Sequence, residues 1–96
     1  MIKIKITKTE NLKLNELDFD HIPLGKIFTD HMFICDYENG SWNHPRIVPM
    51  QTIATHPATM ALHYGQAIFE GMKATLNAAG VPLLFRPSKN AARLNS

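Results

Sequence analysis

Apolar and polar positions alternate over Met1–Thr7, with Ile2, Ile4 and Ile6 set against Lys3, Lys5 and Thr7. A period of two predicts a strand with one half-buried face, and lysine on the other face guards an exposed edge. Residues 8–26 hold neither period and end at Pro23 and Gly25, which predicts a mostly extended arm; Leu12, Leu14 and Leu17 offer a short helical turn within it. Phe28–Tyr37 is rich in aromatic and β-favouring residues and predicts a strand. Asn39-Gly40 follows it as a strong hairpin signal. The returning strand, Trp42–Met50, contains Pro45 and Pro49, whose missing N–H groups confine it to an edge or make it irregular.

The densest patterning falls at Leu62–Lys73. Met60/Ala61, Tyr64 and Ala67/Ile68 recur every three to four positions, one face of a short helix, and Gly71 is placed to end it. Met72, Ala74 and Leu76 then alternate with Lys73, Thr75 and Asn77, which predicts a strand. Phe69, Glu70 and Gly71 therefore stand at a helix-to-strand corner, where side chains and backbone face a pocket together. Asn77-Ala78-Ala79-Gly80 reads as the next turn and Val81–Phe85 as the next strand, with Val81, Leu83 and Phe85 on one face. A helix opens at Pro87, where proline's absent N–H goes unused, and runs through Ala91, Ala92 and Leu94. The predicted class is α+β with antiparallel hairpins and short helices.

Composition changes this picture little. Ninety-six residues suit one small domain, and 45% hydrophobic with 19% charged residues describes an ordinary globular chain. A formal charge of +2, carried by dispersed lysines, argues for neither nucleic acid nor a membrane surface. One cysteine, Cys35, excludes an internal disulfide and fits a reducing, cytoplasmic setting. No apolar run approaches the roughly 20 residues that span a bilayer. The five histidines have no metal-ligand spacing, so no metal site is expected. His63 reads as an interior hydrogen-bonded residue. Asp30 and His31, as neighbours on a strand, should point to opposite faces rather than form an acid–base pair.

Three ordered motifs carry a resemblance. LHYGQAIFEGMKA, from Leu62 to Ala74, resembles a segment of branched-chain-amino-acid aminotransferases, pyridoxal-phosphate enzymes of fold type IV. Phe85–Leu94 resembles that family's FxPxxNxxRL element, and Gly25–Met32 its GxxFTDHM opening. The resemblance implies a transaminase moving the amino group of leucine, isoleucine or valine to 2-oxoglutarate through pyridoxal 5'-phosphate, as a homodimer. It implies an N-terminal strand and arm over 1–24, then the family's small domain over 25–96. The predicted last helix has no stop signal before Ser96, so the chain reads as the N-terminal part of a longer enzyme, inactive by itself.

Arg93 is the candidate for cofactor contact, because a phosphate calls for fixed positive charge and several donors, and a guanidinium supplies both. On a helix beginning at Pro87 it would reinforce the positive end of the helix dipole. Without the motif it reads first as a solvated helix arginine, since most single arginines are solvated; the motif reverses that reading. The resemblance matches it to the family arginine that binds the cofactor's phosphate. Tyr64 and Phe69 match aromatic residues lining the substrate pocket, the tyrosine across a dimer interface; the residues alone are equally an aromatic pair filling a core. Gly71 matches a glycine whose backbone lies against the substrate. Lys73 matches a basic position at the rim and not the Schiff-base lysine, which the resemblance places beyond Ser96, so no catalytic residue is expected here. The carboxylate partner of the pyridine nitrogen is also expected elsewhere. A D-amino-acid aminotransferase, an aminodeoxychorismate lyase and a non-catalytic packing or interaction module are the alternatives; the FTDHM match and the Tyr64/Phe69 pair argue against the first two.

Overall fold

The computed structural model describes residues 1–96, which form two compact units, Met1–Ile53 and Ala54–Ser96. The N-terminal strand and arm are built into the first unit. The class is α+β, with three strands in one unit and a two-stranded hairpin with short helices in the other.

The first unit is organised by a hairpin of β2 (His31–Glu38) and β3 (Ser41–Pro49). Asn39 and Gly40 both take positive φ, 52° and 80°, the two left-handed positions of a tight turn whose twist suits the flanking strands. Tyr37 and Trp42 face each other beside that turn, their rings 5.1 Å apart and edge to face. β3 is the middle strand and not an edge; it is irregular instead. The ladder runs Ile34↔Arg46 and then Asp36↔Asn43, so His44 and Pro45 together oppose Cys35. That is a bulge, and it removes the proline from a position where an N–H is needed. Arg46 fastens it, donating from Nη1 to the Asp36 carboxylate at 2.7 Å and to the His44 carbonyl at 2.9 Å.

The N-terminal alternation yields a much shorter strand than its seven residues suggest. β1 is only Lys5–Ile6, and it lies parallel to β3, alongside the antiparallel hairpin. Between the two prolines, β3 offers little free ladder, and β1 uses it at Arg46 and Ile47, with the Thr7 amide donating to Ile47. Ile2, Ile4 and Ile6 are all exposed, so neither face is half-buried. The arm that follows contains one 3₁₀ turn, Leu14–Glu16, on the leucine-bearing stretch. It is tied down by β2's entrance: the Thr9 amide donates to His31 Nε2 at 3.0 Å, and the Lys13 amide donates to Asp30 at 3.1 and 3.2 Å. Asp30 and His31 thus act separately, as two anchors for one arm.

In the second unit, α1 is only Met60–Tyr64. The residue that ends it is Gly65, at φ +61°, and not Gly71, whose backbone stays outside the left-handed region. His63 stands exposed in its last turn and is not an interior residue. β4 (Ala74–Leu76) and β5 (Pro82–Leu84) pair antiparallel across the Asn77–Gly80 turn. Asn77 Oδ1 accepts from the amides of Ala79 and Val81, both at 2.9 Å, which replaces backbone partners that the turn cannot supply. Arg86, left-handed at φ 48°, turns the chain sharply into α2 (Pro87–Leu94), with Pro87 at the first helical position.

No residue in either unit is buried, so neither has a hydrophobic core. Order comes from backbone ladders and polar ties. The hairpin turn should therefore be sensitive to its one glycine: Gly40→Ala, at φ +80°, is expected to weaken the β2–β3 pairing by about 1–2 kcal/mol. Faster amide hydrogen exchange along that ladder would register it, and unchanged exchange would refute the role given to the turn.

Candidate functional site

Glu70, in the corner between α1 and β4, reaches the last turn of α2. Its Oε2 accepts from Arg93 Nε at 2.6 Å, and its Oε1 accepts from Arg93 Nη2, making a two-pronged ion pair. Asn90 Nδ2 donates to the same Oε1 at 3.1 Å and to the Gly71 carbonyl at 2.8 Å. Asn90 and Arg93 are three apart and so lie on one face of α2. That face, the carboxylate and the Gly71 peptide form one connected network. The pair is lopsided in its burial: the Glu70 side chain is 11% exposed and that of Arg93 71%.

The charges respond accordingly. The Arg93 hydrogen bonds, and after them the Asn90 one, lower the Glu70 carboxyl from 4.5 to about 2. The same carboxylate raises the Arg93 guanidinium. Arg93 sits at the C-terminal, negative end of the α2 dipole and not at the positive end, so the dipole stabilises the cation but adds no anion attraction. What remains for an anion is the guanidinium itself, whose Nη1 has no hydrogen-bond partner.

A concavity of about 490 Å³ opens beside this network, lined by Phe69, Gly71 and Arg93 among others. Three of the five residues expected at a site are thereby brought together. Phe69 is 94% exposed, available to a ligand rather than filling a core. A Cβ built on Gly71 would meet nothing within 4 Å, so the chain itself does not require glycine there. Tyr64, 78% exposed at the end of α1, does not line the concavity, and neither does Lys73, exposed just before β4. The sequence placed Glu70 only at the helix-to-strand corner and did not single out Asn90, although both lie inside the quoted motifs; the three-residue spacing of Asn90 and Arg93 on one helix was the available signal.

An open guanidinium edge and an exposed aromatic ring thus stand beside the Gly71 peptide, whose carbonyl is held by Asn90. No family model matches the chain. Curated relatives do. The chain is 44% identical over 95 residues to branched-chain-amino-acid aminotransferase 2 of Bacillus subtilis, covering 98% of this chain and 25% of that protein. It is 48% identical over 79 residues to branched-chain-amino-acid transaminase 1 of the same organism, covering 81% and 22%. It is 45% identical over 95 residues to the mitochondrial branched-chain-amino-acid aminotransferase of Schizosaccharomyces pombe, covering 97% and 22%. The resemblance carried by the three motifs thus extends over nearly the whole chain, which spans about a quarter of the length of these relatives.

Glu70 makes the second unit acid-sensitive. Its folded pKa lies below its unfolded one, so its contribution is complete above about 4.5 and is lost as pH falls toward 2. A carboxyl-detected NMR titration should place Glu70 near 2, and Glu70→Gln should flatten the stability change across that window. Titration of Glu70 at its ordinary value would contradict the network.

Proposed function

We propose that this chain supplies the phosphate-binding arginine and part of the substrate pocket of a pyridoxal-phosphate-dependent branched-chain-amino-acid transaminase of fold type IV. The observation that carries the proposal is the meeting of Phe69, Gly71 and Arg93 around one concavity, within motifs that match such enzymes. A phosphate fits the residues present: it accepts several hydrogen bonds, and Arg93 keeps Nη1 and part of Nη2 for it while Glu70 occupies the other side. When bound, pyridoxal phosphate supplies the electron sink for moving an amino group between an amino acid and a 2-oxo acid.

The residues of this chain bind and orient. Arg93 fixes the phosphate end of the cofactor. Phe69 offers apolar surface to a branched aliphatic side chain, where shape does most of the selecting at about 1–3 kcal/mol per methylene. Gly71 lets the substrate approach the backbone. Tyr64 faces outward from α1, suited to the pocket of a second subunit in a homodimer, and Lys73 lies toward the rim. No helix is long and apolar enough to cross a membrane. We assign the enzyme to the cytoplasm from its single free cysteine, which fits a reducing compartment. The 96 residues alone are inactive, because the lysine that would carry the cofactor lies outside them.

The intact protein should transfer the amino group of L-leucine, L-isoleucine and L-valine to 2-oxoglutarate. Preference for D-amino acids, or pyruvate release from aminodeoxychorismate, would replace this reading with another fold-type IV activity. Gly71→Ala should raise KM for the amino acid about tenfold or more while leaving the circular dichroism spectrum unchanged, since the added methyl meets open space in the chain but would crowd a substrate. Unaltered kinetics would remove Gly71 from the substrate side.

A further inference from the structure

We propose that Glu70 is a positioning residue for Arg93. It grips the guanidinium by the Nε–Nη2 side and so presents the Nη1-bearing edge to an oxyanion, while Asn90 ties the carboxylate to Gly71. The inference rests on the reading of Arg93 as the phosphate ligand.

The geometry assigns this role by elimination of the looser arrangements. An arginine 71% exposed, with a long flexible stem, samples many rotamers unless something holds it. Here both Glu70 oxygens engage it, Oε2 at 2.6 Å from Nε and Oε1 with Nη2. A two-pronged contact fixes the plane of the guanidinium as well as its position. The freedom that binding would remove is thus already removed, which favours affinity. The carboxylate also repels a bound anion, but the concavity is open to water and that repulsion is screened, whereas orientation is not. Glu70 itself is held in place from the other direction. Asn90 Nδ2 bridges its Oε1 and the Gly71 carbonyl, at 3.1 and 2.8 Å. The cation and the peptide bordering the concavity consequently move as one piece, so that a ligand touching both meets a fixed spacing.

The test uses the intact protein with two probes, pyridoxal 5'-phosphate and pyridoxal, which lacks the phosphate. Glu70→Gln keeps the size of the side chain but puts a donor where an acceptor is needed. It should weaken pyridoxal phosphate binding about tenfold and leave pyridoxal binding unchanged. The ligand-free protein should show a protected Arg93 Nε–H resonance, and Glu70→Gln should abolish it. Arg93→Lys should weaken pyridoxal phosphate at least as much, and adding Glu70→Gln to it should have no further effect, because there is no fork left to orient. Glu70→Asp should recover part of the loss. If Arg93→Lys lowers the phosphate-dependent affinity while Glu70→Gln does not, the positioning role is overturned and the phosphate reading stands. If Arg93→Lys leaves the difference between the two probes intact, the phosphate reading fails and takes this proposal with it. Parallel loss of both probes in Glu70→Gln would assign Glu70 to the fold and overturn the proposal.

Discussion

The constraint on which this structure depends is that none of its side chains is buried. Hydrophobic burial ordinarily dominates folding, and within these 96 residues it is only partial, as at Met32, Ile34, Ile47 and Val48 on the β2–β3 hairpin. Each unit is therefore shaped by hydrogen bonds that water can reach, individually contributing about 1 kcal/mol. Such bonds specify geometry when several converge on one group. Asp36, His44 and Arg46 converge at the β3 bulge, and Glu70, Asn90, Gly71 and Arg93 converge at the corner before β4.

That second convergence links local sequence to chemistry. α2 starts where Pro87 allows and presents Asn90 and Arg93 on one face; the chain between Gly65 and β4 delivers Glu70 and Gly71 to that face. A charge network that shapes the unit thereby also leaves the Nη1-bearing edge of Arg93 unengaged. The exposed Phe69 ring lines the same concavity.

Where backbone chemistry is local, the sequence was a good guide. Asn39-Gly40 and Asn77–Gly80 specify their turns through positive φ and a side-chain acceptor, and Pro87 marks the start of α2 within its own residue. Where the outcome depends on distant partners, periodicity misled. The Ile/Lys alternation of the first seven residues implied a strand of that length, yet it pairs with β3 only at Arg46 and Ile47. The three- to four-residue spacing through Ile68 implied a helix reaching Gly71, but Gly65 takes the left-handed backbone first and ends it at Tyr64. The site was legible as residue types and not as connections. Arg93 stood out because a cation suggests an anion, while its actual neighbour, Glu70, lies twenty-three residues away in sequence and looked like a corner residue. The dipole argument failed for a related reason: Pro87 locates the start of α2, but only the helix's length puts Arg93 in its last turn.

The most direct test of the account is a structure of the intact protein with pyridoxal phosphate bound. The account predicts Arg93 Nη1 within hydrogen-bonding distance of a phosphate oxygen, roughly 3 Å, while Nε remains on Glu70. A phosphate bound elsewhere, or an Arg93 that leaves Glu70 to reach it, would contradict the account.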